Sequence, residues 1–452
     1  GGRSYYCFKF TTNSYGPNPS SPEIAWMVRP DDETSTAVIQ KMGFSTSTPA
    51  SARILDATTV KDVFFVGGGL STLDVDTAFG TKLGRSVLAF RAAPATTGGA
   101  YQLVKSWDYS AETTDRGSVP AAVVPTQVTL QKGKAERVYF GTAFGNVFCL
   151  GAVASSGSRT DTANIQSWGR RAIFISKDST QSLGSGPCVF YYSSGLYPVP
   201  LTLHSTAHSP VAFLGVSFGL GDRNDPMDID TRNPTAYSSV ANNRFVTILD
   251  RQDSASLTNT SGSAVDTAGF TEDDLADLTS VTSKTDSRIT ASDTTNYYLR
   301  THSGYKLEFI NRYLKNGSET SYYYEKNVTT PIVLNGMLEF TAFSPNVSAS
   351  ACGGSGGTSY AYTMCDVINP VYGNNTTTVN TTSSTACSNG LAYSYNDIPS
   401  EAGTVGLSAV VVVGEIQNTG EGSGGSGRVD PAQLATNALT SLARPRAWRV
   451  VR

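Results

Sequence analysis

Short apolar segments rich in Val, Ile, Phe and Tyr, bounded by Gly, Asn, Asp or Pro, recur along the whole chain. They run "SYYCFKF", "DVFFVGGG", "SVLAFRA", "RVYFGTAFGNVFCL", "RAIFIS", "CVFYY", "VAFLGVSFG", "RFVTILD", "NYYLRT", "GYKLEFI", "TTPIVLNGMLEFTAF", "TSYAYTM", "SAVVVVGEI" and "AWRVV". Such segments read as strands. No helical pattern alternates with them, which argues against a parallel α/β sheet. Residues 137–150 show the grammar best, as a strand, a glycine turn and a second strand. Weaker echoes lie at 62–90 and 211–250, and 330–343 repeats the hairpin with a shorter turn. A hairpin returning at intervals of roughly 60 to 100 residues, with long insertions between, points to β-propeller blades. An array of β-sandwiches would show similar strands.

Composition agrees with an all-β extracellular protein. The chain has 452 residues, 39% apolar and 16% charged, with 43 Gly and 22 Tyr. We read residues 1–452 as one domain. The net charge of −3 offers nothing to nucleic acid or an anionic membrane. Basic residues gather only in "RPRAWRVVR". The longest apolar run, "LSAVVVVGEI", has the length of a strand, and no run approaches the 18 residues of a membrane-spanning helix. The sequence opens "GGRSYY" without a Met or a signal peptide, and is read as part of a longer or processed precursor.

Two helices are expected. "TEDDLADLTS" has Thr271 as N-cap and Asp274 three residues on. "DPAQLATNALTSLA" has Asp430 as N-cap, Pro431 at the first helical position and an apolar stripe of Leu434, Ala438, Leu439 and Leu442.

The six cysteines are Cys7, Cys149, Cys188, Cys352, Cys365 and Cys387, and none forms a C-x-x-C pair. The even count and polar surface favour an oxidising compartment. Cys365 and Cys387 bracket an Asn/Thr-rich insertion, so a disulfide closing that loop is expected, with Cys352 competing for either partner. Cys7, inside "YYCFKF", reads equally as a buried thiol.

The best metal candidate is "GDRNDPMDIDTRN", where Asp222, Asn224, Asp225, Asp228 and Asp230 supply alternating oxygens for Ca²⁺. Pro226 interrupts the run and no Glu closes it, so a polar loop with Asx turns is the competing reading. Asp74 and Asp76 are a weaker pair. His204, His208 and His302 lack the ligand set zinc requires. No serine occupies a G-x-S-x-G elbow, and no cysteine has a catalytic partner set. Asn-x-Ser/Thr triplets in 254–263 and 374–389 read as solvated loops or glycosylation acceptors.

Taken in order, "GGRSYYCFKFTT", "PEIAWMV", "KMGFSTSTPASARIL", "DVFFVGGG" with "SVLAFRA", "ERVYFGTAFGNVFCLG", "VAFLGVSFGLGDR" with "RFVTILDR", "TEDDLADL", "NYYLRTHSGYKLEF", "TPIVLNGMLEFTAFSPN", "ACGGSGGTSYAYTM" and "ARPRAWRVVR" resemble the C-terminal propeller of PilC/PilY-type proteins of type IV pilus tips. The resemblance covers nearly the whole chain through motifs that are individually weak but correctly ordered. It implies a modified, seven-bladed β-propeller, to which the long loop insertions and the two short helices read from the residues would be accessories. It implies a non-catalytic role in pilus assembly and extension, surface adhesion and twitching motility, with minor pilins as partners and host or abiotic surfaces as further receptors. It implies export through the periplasm and outer membrane to the pilus tip, and an adhesive region upstream of residue 1. "GGR" and "RAWRVV" would then bring the first and last strands together. Many members of that family carry an Asp-rich calcium loop just before the hairpin at 137–150. Here the stretch reads "PTQVTLQKGKAERVYFG", with Gln131, Lys132, Lys134 and a single Glu136, so calcium regulation there is expected to be lost.

Three other readings compete. "VYFGTAFGNVFCL" also resembles the repeat of quinoprotein dehydrogenases, but Trp26, Trp107, Trp168 and Trp448 sit at unrelated positions in the grammar. A glycan-active enzyme would need two carboxylates at a set separation in space. A carbohydrate-binding propeller would use the tyrosines of "SYYYEK" and "SYAYTM" on exposed loops.

Overall fold

The computed structural model describes residues 2–13, 16–31, 35–71, 83–93, 99–111, 117–128, 133–143, 145–152, 163–176, 197–203, 211–220, 244–251, 268–277, 304–308, 326–327, 329–334, 337–345, 357–365, 390–395, 399–405 and 408–413. Among these, the strands fall into six sheets, and the only α-helix is the four-residue α1 (Ala37–Gln40). The all-β class expected from the sequence is what forms.

The first sheet pairs β1 (Tyr5–Asn13) with β2 (Gly16–Val28), and β2 runs parallel to the short β6 (Gly99–Ala100). The second is an antiparallel meander of β3 (Ala50–Asp56), β4 (Thr59–Gly67), β5 (Ser86–Arg91) and β7 (Leu103–Asp108). The third repeats it with β8 (Val124–Thr126), β9 (Arg137–Gly141), β10 (Val147–Ala152) and β11 (Trp168–Phe174). The fourth orders β12 (Tyr197–Leu203), β13 (Val211–Gly219), β14 (Arg244–Arg251) and β16 (Gly304–Glu308), with β15 (Ala276–Asp277) parallel at its edge. The fifth holds β17 (Lys326–Asn327), β18 (Ile332–Leu334), β19 (Met337–Pro345), β20 (Gly357–Cys365) and β21 (Gly390–Tyr395). The sixth is the hairpin of β22 (Pro399–Val405) and β23 (Ser408–Val413).

The hairpin at 137–150 shows why this sequence builds stacked sheets. Val138 pairs with Leu150 and Phe140 with Phe148, and these four pack toward the second sheet with Ile54, Phe65 and Trp107. Tyr139 pairs with Cys149, and both pack toward the fourth sheet with Leu214, Val216 and Ile248. A strand buried on both faces reads as an unbroken apolar run rather than an alternating one, which is what "RVYFG" and "VFCL" show. Gly145 closes the turn at φ 78°, in the left-handed region that favours glycine, and donates its N–H to Thr142 O at 2.9 Å. Gly141 lies within β9, paired with Val147.

The same two-sided burial runs through the series. Tyr5, Trp26, Val28, Ile39 and Met42 cover Val66, Leu88 and Phe90 between the first and second sheets. Phe245 and Phe340 stack at 3.9 Å between the fourth and fifth. There Gly219 meets Asn327 so closely that an added Cβ would lie 2.1 Å from Asn327 Oδ1.

The first expected helix does not form. "TEDDLADLTS" makes one 3₁₀ turn, Glu272–Asp274, and then enters β15. The Thr271 amide and hydroxyl both donate to the Asp274 carboxylate, at 2.6 and 2.9 Å. Glu272 is drawn into a buried ion pair and Leu275 into the core, so tertiary contacts override a weak helical preference that Asp does little to support. The expected helix at 430–443 lies outside the described residues.

Candidate functional site, the outer face of the first sheet

Rigid links between successive sheets form the platform on which any surface is presented. Between the second and third sheets, Lys105 Nζ donates to the carbonyls of Ile165 and Gln166 at 2.8 Å each and of Trp168 at 3.3 Å. Burial holds its pKa below the usual range. Trp107 stacks on Trp168 at 6.3 Å and donates its indole N–H to the Trp168 carbonyl. Two tryptophans that look unrelated in the sequence thus meet on the last strands of neighbouring sheets. Arg170 lies between the rings of Tyr109 and Phe148, at 4.4 and 4.5 Å.

Between the third and fourth sheets the link is ionic and fully buried. Asp250, near the end of β14, accepts a two-pronged contact from Arg171, with Nη1 to Oδ1 at 2.9 Å and Nη2 to Oδ2 at 2.7 Å. Arg137 Nη1 and the Tyr139 hydroxyl also donate to Oδ2, at 2.9 and 2.5 Å. Burial, then the Asp250 charge, pushes the Tyr139 phenol well above its ordinary pKa. Burial works to lower the pKa of Arg171, and the Asp250 carboxylate outweighs it and holds the group above its ordinary value. A second link joins Arg244 to Glu272 and, at 2.8 Å, to the Ser176 hydroxyl, while Ser176 N–H donates to Asn146 Oδ1 at 2.9 Å. These groups are shut away from solvent, so the arrangement fastens sheets together and presents no reactive group to a substrate. The sequence reading missed all five charged members. For four of them the signal was a charge at or near the end of an apolar strand, in "RVYFG", "RRAIF" and "RFVTILD"; Glu272, in "TEDDL", had none.

The first sheet is different. Its inner face carries Tyr5, Trp26 and Val28 against the second sheet. On its outer face Tyr6 pairs with Met27, and Phe8 with Ile24. A bulge at Cys7/Phe8 makes Ala25 the extra residue and keeps Phe8 and Ile24 on the outer side. Tyr6 is 48% exposed, and Phe8 and Ile24 are 52% exposed. Three of the five exposed large apolar side chains among the described residues therefore sit on this one hairpin, which makes it a patch rather than scatter. Lys9 and Glu23, the next pair along, give it a charged border. The sequence named "SYYCFKF" as a strand and "PEIAWMV" as a motif of the resemblance, but gave no sign that their second face would stay uncovered.

The residues singled out in the sequence are placed as follows. Asp222, Asn224, Asp225, Asp228 and Asp230 lie outside the described residues, as do Asp74, Asp76, His204, His208, His302, Cys188, Cys352, Cys387 and both Asn-rich loops. Cys365 is the last residue of β20, and its side chain is likewise outside them. Cys7 and Cys149 are thiols rather than halves of disulfides, and burial raises the Cys7 pKa. Gln131 and Lys132 are outside the described residues. Glu136 is buried and accepts the Val128 N–H at 2.8 Å, so the one carboxylate in that stretch closes its own loop. Among the described residues no group of three or more His, Cys, Asp or Glu is placed to hold a metal.

No protein-family profile and no curated protein sequence matches the chain. Among solved structures it is similar to the crystal structure of the Pseudomonas aeruginosa PilY1 C-terminal domain, with a TM-score of 0.46 and 15% sequence identity. That similarity covers 81% of this chain and 66% of the PilY1 chain, just under two thirds of its length.

Proposed function

We propose that the chain is a non-catalytic binding domain of a type IV pilus tip protein, supporting pilus assembly and extension, adhesion and twitching motility through contact with minor pilins. The observation that carries the reading is the face of exposed Tyr6, Phe8 and Ile24 with half-buried Met27 beside Tyr6, held on a body whose sheets are fastened by buried ionic and aromatic links. Aromatic and methionine side chains inside a charged border are what protein interfaces select. The pilus context comes from the ordered motifs of the sequence. Their quoted pairs occupy hydrogen-bonded neighbours: β4 with β5, β9 with β10, β13 with β14 and β18 with β19. In this reading the sheets are blades of a closed, seven-bladed ring on the cell surface. A deletion strain scored for surface pili and twitching tests it. Piliation is lost, the wild-type gene restores it, and a Tyr6→Asp/Phe8→Asp gene produced at equal level does not. Normal piliation in the deletion strain refutes the pilus role, and full rescue by the double variant refutes the contact face.

A further inference from the structure

We infer that successive sheets are held by directional clasps, in which the connection between the third and fourth strands of one sheet reaches back and fastens the sheet before it. Three connections do this. The one from β5 to β7, in the second sheet, contains β6, whose Gly99 and Ala100 pair in parallel with Trp26 and Met27 of the first. The one from β10 to β11, in the third sheet, places Asn164 in a parallel bridge with Leu55 of the second. The one from β14 to β16, in the fourth sheet, places Phe270 in a parallel bridge with Phe174 of the third. Among the described residues every parallel pairing belongs to one of these connections, the remaining ladders being antiparallel.

The clasp on the second sheet is the fullest. Leu55 N–H donates to Ala163 O at 2.8 Å, Ala57 N–H to Asn164 Oδ1 at 3.3 Å, and Gln166 Nε2 to Asp56 Oδ1 at 2.7 Å. Lys105 of the second sheet grips the same connection through its three carbonyl contacts. In the clasp on the third sheet, Ile175 N–H donates to Phe270 O at 2.8 Å and Phe270 N–H to Ile173 O at 3.0 Å. Gly269, at φ 71°, lets that segment lie against the end of β11, where an added Cβ would sit 2.9 Å from Ile175 Cγ1. The dependence runs one way. β10 and β11 hold each other by their own ladder from Val147 to Ala152, which does not use the clasp. β3 has β4 on one side, and its other edge is closed, among the described residues, by Ala135, Ala163 and Asn164 of the third sheet. Opening the clasp therefore bares an edge of the second sheet and leaves the third sheet's ladder whole. Each sheet draws part of its stability from the one that follows it, a nearest-neighbour coupling with a direction. The inference concerns how the sheets are held and stands whether or not the outer face of the first sheet binds a pilin.

Hydrogen exchange read by mass spectrometry tests it on the full chain and its variants. Asn164→Ala/Gln166→Ala removes both side-chain contacts of the second-sheet clasp. Exchange of the β3 amides is expected to rise roughly tenfold, as the loss of two hydrogen bonds allows, with a much smaller rise in the β9–β10 hairpin. Gln166→Ala alone spares the turn that Asn164 caps and shifts exchange in the same direction. Gly269→Ala pushes the next clasp off β11 and speeds exchange across 173–175, with a much smaller rise in β14. Equal rises on both sides of the clasp, or a larger rise in the sheet that supplies the connection, overturn the inference, because the contact would then be an undirected shared interface. Unchanged exchange in β3 and across 173–175 overturns it as well.

Discussion

Asp250→Asn is the substitution whose cost the geometry fixes most closely. The wild-type carboxylate accepts four hydrogen bonds, three from two buried guanidiniums and one from a phenol. Asn keeps the shape but loses the charge. Whichever way its amide is turned, its NH₂ group faces at least one donor: Arg171 Nη1 at the Oδ1 position, or Arg171 Nη2, Arg137 Nη1 and the Tyr139 hydroxyl at the Oδ2 position. Breaking a buried ion pair from one side costs about 3–5 kcal/mol, because the remaining charges cannot return to water. Against a total stability of about 5–15 kcal/mol this is a large fraction. Urea unfolding followed by tryptophan fluorescence measures it, since Trp107 and Trp168 lie in the adjoining interface. The companion variant Arg137→Met/Arg171→Met/Asp250→Leu removes the whole cluster and is expected to recover most of the loss, as apolar replacement of buried pairs commonly does. A loss below about 1 kcal/mol for Asp250→Asn would refute the reasoning, for it would mean that both guanidiniums keep adequate partners without the carboxylate.

Three further predictions follow from other parts of the fold. Gly219→Ala forces a methyl group onto Asn327 and is expected to cost about 1–3 kcal/mol in the same unfolding experiment, whereas Gly133→Ala, with open space at its Cβ, should cost less despite its positive φ of 72°. Lys61 and Gln166 hold the Asp56 carboxyl below its usual range, and at Asp108 the Ser110 hydroxyl and amide together with Lys41 outweigh the upward push of burial. With both pKa values depressed, the unfolded chain binds more protons in that window, so stability is full above about pH 4 and falls as pH drops through the lower folded values. Asp56→Asn/Asp108→Asn should flatten that acid limb in a pH series of thermal midpoints. Millimolar calcium is expected to leave the thermal midpoint unchanged. A rise abolished by Asp222→Ala and Asp228→Ala would instead place a metal site in 221–233.

Strand identity was legible because it depends on local composition. "RVYFG" and "VFCL" declare two buried faces in their unbroken apolar runs, and "LNGM" declares the tight connection that pairs Leu334 with Met337. What failed depended on partners distant in sequence. Thr271 and Asp274 form a capping pair that the sequence read as the start of a helix, yet the Arg244–Glu272 contact and the burial of Leu275 stop it after one turn. Asp250 reads as a polar strand terminus until Arg137, 113 residues away, and Arg171, 79 residues away, are placed beside it. The outer face of β1 and β2 was hidden for the same reason. Tyr5 and Tyr6 are identical in composition, and only the packing of the second sheet makes one buried and the other exposed.

The central claim is that Tyr6, Phe8, Ile24 and Met27 form a contact surface for a pilus tip partner. Affinity capture of purified minor pilins by the full chain, compared with Tyr6→Asp/Phe8→Asp at matched thermal midpoint, tests it most directly. The account predicts capture by the wild type and loss of capture by the double variant. Equal capture by both proteins, or none by the wild type, would contradict it.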